Sequence, residues 1–442
     1  VTGSSGRREG RESERQRPNM SRHLFYSPVL LLLVVMMCCN TCRGAAEAAE
    51  VPPAGQEASK TTYFVWRDVK KEGEKVESLH VPSLVEMNGK VFAVAEADCK
   101  KNKEGYNDYF PCIASEPLKW TDGQSKVVLD TTQVRTQILV ECLSGEENCA
   151  SREDNNPVSQ ENRVVDVSRP TTVVSGSDIY MLAGTYVREG TANEQVSAMA
   201  RRGLLLSRGN VSGEESNKRI YWYFIDSLQS TSNTEGRESF TELTGGGGSG
   251  VNMKDGTLVF PVEGTKKEND DTEEGGKTVS LILFSKGPNS WTLSNGTSAD
   301  GCSDPSVVEW EKDKKLIMMT ACNDGRRRVY ESGDMGDSWT EALGTLSRVW
   351  GKKEKGRDKG VGSGFITATI EDRDVMLVTL PVYANENENK KGKLHLWLTD
   401  NTHIVDIGPV SREGDDAAAS SLLYKHVGDN EELIALYGTK GS

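Results

Sequence analysis

An all-β fold of the β-propeller kind is what the sequence predicts, and three observations lead there. Past residue 60 the chain runs as short β-branched or aromatic stretches set off by Gly, Asn, Asp and Ser. Long helical periodicity is missing. One segment, Ser332-Gly-Asp334-Met-Gly336-Asp-Ser-Trp339, fits Ser-x-Asp-x-Gly-x-x-Trp, the Asp box, a hairpin turn of propeller blades. Length agrees, since 442 residues suit one large propeller or two average domains.

The N-terminal elements are not part of that fold. Residues 1–19 are rich in Arg, Glu and Ser and read as an upstream or disordered extension. From Met20 a basic start (Arg22, His23), an apolar run from Val29 to Met37 and small residues at Gly44 to Ala49 make a secretory signal peptide over 20–49. The apolar run is too short for a comfortable membrane span. The propeller domain is assigned to 60–442.

Within that domain the strands are expected at Lys90–Ala95, Ile179–Ala183, Thr257–Pro261, Val279–Phe284, Lys315–Met319, Val375–Thr379 and Leu394–Leu398, with turns such as Asn88-Gly89 and Asp255-Gly256. In the Asp box, Ser332 and Asp334 bond turn amides, Gly336 takes positive φ and Trp339 packs under the blade. Ser285 to Trp291 and Ser115 to Trp120 look like worn copies. An Asp box lies outside the central site and reports fold. Gly245-Gly-Gly-Gly-Ser-Gly250 lacks the ending of a phosphate-binding loop and reads as a backbone-crowded turn. The charged runs Glu263–Lys277, Lys352–Lys359 and Glu386–Lys393 read as surface loops. Trp66, Trp222, Trp310, Trp350 and Trp397 are expected in the core.

Cysteine usage fits an oxidising compartment. Three of nine cysteines fall in the signal region, leaving Cys99, Cys112, Cys142, Cys149, Cys302 and Cys322. An even count suggests disulfides, and sequential pairing is the simplest of the connectivities open to them. Among these six no Cys-x-x-Cys, and in the chain no paired His, supports a zinc site, and no metal or other cofactor is expected. The sequons at Asn210 and Asn295 fit the same compartment. A net charge of −13 with scattered acid argues against nucleic acid as partner.

Several segments together resemble the trypanosomal trans-sialidase superfamily: Pro82-Ser-Leu-Val-Glu-Met-Asn-Gly89, Pro170-Thr-Thr-Val-Val174, Gly301-Cys-Ser-Asp-Pro305, Arg327-Arg-Val-Tyr-Glu-Ser332, Ser347-Arg-Val-Trp-Gly351 and Leu396-Trp-Leu-Thr-Asp400. The likeness covers nearly all of the chain after Met20. It implies a six-bladed propeller, here with an incomplete last blade. The lectin-like domain and glycosylphosphatidylinositol signal that usually follow are expected to be absent, which would make membrane attachment depend on a missing C-terminal anchor.

The resemblance also locates the expected chemistry. Active members clamp the sugar carboxylate with three arginines, attack with a tyrosine paired to a glutamate, and use an aspartate as acid and base. The clamp positions read here as His80, Ala321 and Lys391 (or Lys393), none of which is an arginine fork. The acid/base aspartate reads as Glu96, the nucleophile as Ala419 and its partner as Asp304. Arg169 stands where active members carry an Asp before Pro-Thr, unless a gap brings Asp166 there. No member of the catalytic set is intact, so the leading expectation is a catalytically inactive surface glycoprotein, secreted or at the cell surface. It is expected to act in adhesion to host-cell or matrix glycoproteins and in antigenic variation. The alternatives are an active exo-α-sialidase or trans-sialidase, with His80, Lys391 and Arg169 as a replacement clamp, and a non-catalytic lectin for sialoglycans or other glycans. Among the histidines, His395 alternates with Leu394 and Leu396 and is expected to be structural.

Overall fold

The computed structural model describes residues 63–440, apart from 70–73, 104–105, 120–126, 130, 133, 143–161, 188–201, 214–217, 228–233, 236–238, 268–275, 288–289, 352–360, 384–390 and 428–429. All described residues lie in one compact unit, Lys60–Ser442. The expected extension, signal peptide and Cys149 lie outside them.

The unit is built of mainly antiparallel β-sheets. In the first sheet β1 (Tyr63–Asp68), β2 (Glu74–Met87), β3 (Lys90–Lys103), β4 (Tyr106–Pro117) and β5 (Arg135–Cys142) continue into β6 (Asn162–Ser175), β7 (Asp178–Val187), β8 (Arg202–Ser212) and β9 (Arg219–Ser227). The second holds β10 (Thr234–Glu235), β11 (Phe240–Gly245), β13 (Val251–Asn252), β14 (Leu258–Lys266), β15 (Thr278–Gly287) and β16 (Ser290–Leu293), while the short β12 (Gly248–Ser249) pairs in parallel with β6. Two four-stranded meanders follow: β17 (Cys302–Trp310), β18 (Lys315–Cys322), β19 (Arg327–Ser332) and β20 (Thr340–Glu341), then β21 (Gly364–Ile370), β22 (Arg373–Tyr383), β23 (Gly392–Thr399) and β24 (Ile404–Pro409). A last pair is β25 (Ala417–Val427) with β26 (Asn430–Thr439).

Every strand run expected from the sequence is found, and the two tight turns at Asn88-Gly89 and Asp255-Gly256 carry positive φ at Asn88, Gly89 and Gly256. The strands are longer than the apolar runs, reaching 14 residues in β2, β3 and β6, because their polar ends stay paired past a bulge. Apolar faces of adjacent sheets interlock. Phe92, Leu139, Met181 and Trp222 fill one cluster; Phe260, Leu281 and Trp291 the next; Trp310, Met319, Trp350 and Met376 a third. The five tryptophans expected in the core are all buried or half-buried in these clusters.

Strands from several sheets lie side by side: β2 beside β6 and β25, β12 beside β2, β6, β17 and β25, and β21 beside β17 and β25. A belt of buried hydroxyls joins them. Ser83 Oγ bonds Thr172 Oγ1 (2.5 Å), Ser306 Oγ donates to the Ser363 carbonyl (3.0 Å), the Gly364 N–H donates to Ser420 Oγ (3.2 Å), and the Leu84 N–H donates to Ser421 Oγ (3.1 Å). The last bond ties β2 to β25 across 337 residues of sequence. Below the belt the same strands line a cavity of about 350 Å³, walled by residues such as Val173, Val307 and Phe365 and edged by Glu86 and Glu309.

The Asp box folds as its sequence requires. Ser332 Oγ donates to Asp334 (2.8 Å) and accepts the Gly336 N–H (2.8 Å), and Asp334 accepts the Ser338 N–H (3.0 Å). These donors, with the Ser338 hydroxyl foremost, lower the Asp334 carboxyl to about 2. The turn seals against the preceding sheet, where the Gly296 N–H donates to the Gly336 carbonyl (2.8 Å). Cys99–Cys112 and Cys302–Cys322 are disulfides; the expected Cys142–Cys149 pairing falls outside the described residues.

Candidate functional site

At the end of the inner strands opposite the cavity, three segments repeat one device. Val81, Arg169 and Asp304 each precede a proline, each has φ near +50° (47°, 52° and 49°), and each sits at a bulge in the pairing of its strand. A left-handed, pre-proline residue is strained by about 1–3 kcal/mol. Such bulges re-aim a side chain that regular pleating would send into the sheet. Arg169 and Asp304 are re-aimed toward each other.

Arg169 is the centre of the cluster. Its guanidinium donates to Glu263 Oε2 (3.0 Å), Asp304 Oδ1 (2.8 Å) and the Gly246 carbonyl (2.9 Å), and its backbone N–H donates to Glu96 Oε2 (2.7 Å). Glu263 Oε2 also accepts the Asp304 N–H (3.1 Å), and Ser303 Oγ donates to Asp304 Oδ2 (3.0 Å). The three charged side chains are only about one-fifth exposed, at 22 %, 20 % and 17 % for Arg169, Glu263 and Asp304. Burial raises the Glu96 carboxyl above its ordinary range, against the pull of the Arg169 N–H.

The glycine run supplies the wall. A Cβ on Gly245 would come within 2.5 Å of the Arg169 carbonyl, and one on Gly246 within 2.6 Å of the Pro305 carbonyl. The backbone-crowded reading of this run therefore holds, and the crowding is what lets the Gly246 carbonyl reach Arg169.

The other expected positions divide into those near this cluster and one apart from it. His80 is cross-strand from Glu96, but its Nε2 bonds Asp98 Oδ2 (2.9 Å) on the exposed rim. Asp98 is held below its ordinary range by Ser78 and His80, which outweigh its partial burial. Ala321 lies opposite Ser303 and beside Arg327. Ala419 lies next to Gly362, where an added Cβ would meet its own Cβ at 3.8 Å. Lys391 stands apart, its Nζ donating to the Gly414 carbonyl (2.6 Å), and Lys393 is exposed on β23. Asp166 pairs with Tyr186 in the β6–β7 register, three residues before Arg169. His395 Nδ1 lies 3.0 Å from Asp406 Oδ2.

Two cluster residues were not anticipated. Glu263, the first residue of the charged run assigned to a surface loop, belongs to β14, where its pairing with Thr244 carries it inward. That is a correction to the loop assignment, which fails for Glu263–Lys266. Arg327 on β19 is buried, donates to the Val361 carbonyl, and leaves its other terminal nitrogen without a partner among the described residues. Burial lowers its pKa, opposed by Asp304. A patterned polar strand end gave no local sign of either. Among the described residues no group of three or more His, Cys, Asp and Glu could hold a metal ion, and no helix is long and apolar enough to cross a membrane.

Chemically, the cup holds a guanidinium whose donors already meet two carboxylates and a carbonyl. A carboxylate ligand would have to displace Glu263 and Asp304 from Arg169 and sit beside them, with like-charge repulsion in a poorly solvated place. No tyrosine stands at the Ala419 position to attack a sugar.

Comparison with known proteins bears on both fold and site. The family described as a BNR repeat-like domain matches residues 81–438. A sialidase of Trypanosoma cruzi is 36 % identical over 282 residues, covering 61 % of this chain and 23 % of the relative. Sialidase 85-1.1 of the same organism is 32 % identical over 378 residues, covering 81 % of this chain and 46 % of the relative. Among solved structures, Trypanosoma rangeli sialidase in complex with sialic acid is 27 % identical, covers 89 % of this chain and 58 % of its own, and superposes with a TM-score of 0.58. The chain thus spans from about a quarter to somewhat over half of the length of these proteins.

Proposed function

Because this chain belongs to the sialidase-like, BNR-repeat superfamily of trypanosomes, we propose that it is a member whose cup has been closed to sialic-acid chemistry from within. One observation carries the reading: Arg169 is bound to Glu263, Asp304 and the Gly246 carbonyl, and occupies the cup as an internal cation. The substituted positions at His80, Ala321 and Ala419 support it. Without a nucleophile the two-step route through a covalent intermediate has no first step.

The fold we infer is a six-bladed propeller, in which β2, β6, β12–β13, β17, β21 and β25 are the inner strands and β25–β26 the incomplete last blade. The hydroxyls of Ser83, Thr172, Ser249, Ser306, Ser363 and Ser420, one from each of these strands or from the residue just before it, support that count. With no turnover to perform, the wide rim is left for recognition. The protein acts at the cell surface or after secretion, in adhesion to host-cell or matrix glycoproteins and as a variable antigen. The two disulfides fit the oxidising compartment this requires.

The test is a fluorogenic sialoside assay on the purified chain beside an active trypanosomal sialidase, with saturation-transfer NMR against sialyl-lactose. Neither release of sialic acid nor saturation transfer is expected. Turnover above the buffer blank would overturn the closed-cup reading, and transfer without cleavage would replace it with a lectin.

A further inference from the structure

On the outer part of the second blade, β8 and β9 place two arginine–tyrosine stacks around a sequon. Cross-strand partners on one face run Arg208–Tyr223, Asn210–Tyr221 and Ser212–Arg219. Arg208 lies over the Tyr223 ring at 4.9 Å, and Arg219 over the Tyr221 ring at 4.1 Å. Both arginines are anchored in turn, Arg208 by Asp178 (3.5 Å) and Arg219 by Asp68 (2.9 Å). The tyrosines are half-buried and held in orientation, while Asn210 and Ser212, the first and third residues of Asn-Val-Ser, are exposed between them. A row of immobilised aromatic rings with polar edges, with an exposed carboxamide at its centre, suits a sugar attached at that carboxamide.

We propose that Asn210 carries an N-linked glycan whose first N-acetylglucosamine packs on Tyr221 and so clamps β8 to β9. The inference rests on the secretory reading above. In the transfer step the Asn210 amide nitrogen forms a bond to C1 of the first sugar of a polyprenyl-diphosphate-linked oligosaccharide. The C1–O bond to the diphosphate breaks, the polyprenyl diphosphate leaves with the bonding pair, and the amide proton goes to solvent; no oxidation or reduction occurs. Directly opposed side chains have Cβ atoms about 4.5–5.5 Å apart, so a sugar on Asn210 meets the Tyr221 ring without reaching. The sequon at Asn295 differs in kind. Its Nδ2 donates to Asp337 Oδ1 (2.9 Å) at the Asp-box seam, and Gly296 is pinned there with room for no side chain. Trp339 lies against Gly296, but no arginine–tyrosine stack flanks Asn295 among the described residues, and a glycan there serves as the internal control.

The experiment is expression of the full chain in a eukaryotic secretory host, once with its own N-terminal segment and once behind a foreign leader. Glycopeptide mass spectrometry reads occupancy. Trimming with an endoglycosidase that leaves one N-acetylglucosamine isolates the sugar of interest. Asn210 is expected to be occupied, and S212A, which removes the sequon but keeps Asn210, is expected to lower Tm by about 2 °C. In a Y221A background the same change should leave Tm unmoved. In NMR of the trimmed protein, protons of the remaining sugar should be shifted upfield by the tyrosine ring, a readout that stands even if Y221A fails to fold. An unmodified Asn210 behind the foreign leader, an equal S212A effect in both backgrounds, or sugar protons at their free positions would overturn the proposal. Glycosylation behind the foreign leader but not behind the chain's own segment would uphold the packing of the sugar on Tyr221 and overturn the secretory reading, and with it the glycan on the native chain.

Discussion

Replacing Arg169 by leucine tests whether the cup is held by its internal cation. The substitution removes three charge-assisted contacts at 2.8–3.0 Å, to Glu263, Asp304 and the Gly246 carbonyl. It leaves two carboxylates close together with no cation between them. Breaking a fully buried ion pair by removing one partner costs about 3–5 kcal/mol. The three side chains here keep about one-fifth of their exposure, so water relieves part of that, and about 3 kcal/mol is expected. Leucine is no worse than arginine at the strained φ of +52°, so the backbone adds nothing to the difference. Urea denaturation at pH 7 followed by tryptophan fluorescence measures it. A cycle with E263Q should show a coupling of about 1.5 kcal/mol or more, because each single change removes the same contact. A cost for R169L below about 0.5 kcal/mol, or a coupling near zero, would refute the argument, since both values are those of an unconnected surface residue.

Three further outcomes are expected. E96Q keeps an oxygen for the Arg169 N–H but cannot ionise. Because burial raises the Glu96 carboxyl in the fold, the wild type loses stability as pH rises through that raised value, and E96Q should gain on it with rising pH in paired thermal melts from pH 4 to 8. S421A leaves the buried Leu84 N–H without its acceptor, and a loss of about 1–2 kcal/mol in urea midpoint analysis is expected. Replacing Cys302 and Cys322 by alanine opens a loop with a sequence separation of 20 beside Asp304 and should cost about 3 kcal/mol by calorimetry.

Much of the fold was legible because its signals are local. A run such as Val279-Ser-Leu-Ile-Leu-Phe284 states its conformation through β-branching and the turns around it, and the Asp box states its turn through side chains that bond within seven residues of one another. The site was legible only where a motif fixed the register, as for His80, Glu96, Arg169 and Asp304. Glu263 escaped because it opens a charged run that continues into Lys266 and Lys267, and only the β11–β14 pairing decides that its side chain turns inward. Arg327 is one of three consecutive arginines, and nothing in Arg326-Arg327-Arg328 says which is buried; the Ala321–Arg327 pairing does. The hydroxyl belt is less legible still. Serine in a strand has no strong preference, and its members find each other across separations of 41 to 337 residues.

That belt has a consequence for how such a protein can change over generations. The joints between sheets are made by Ser83, Thr172, Ser306, Ser363, Ser420 and Ser421, and on four strands they lie one to three residues beyond the cup residues Val81, Arg169, Asp304 and Ala419. An exchange in the cup therefore leaves the joints as they were. Chemistry can be lost, charge can be inverted and the rim can be redrawn by point changes while the same body still assembles.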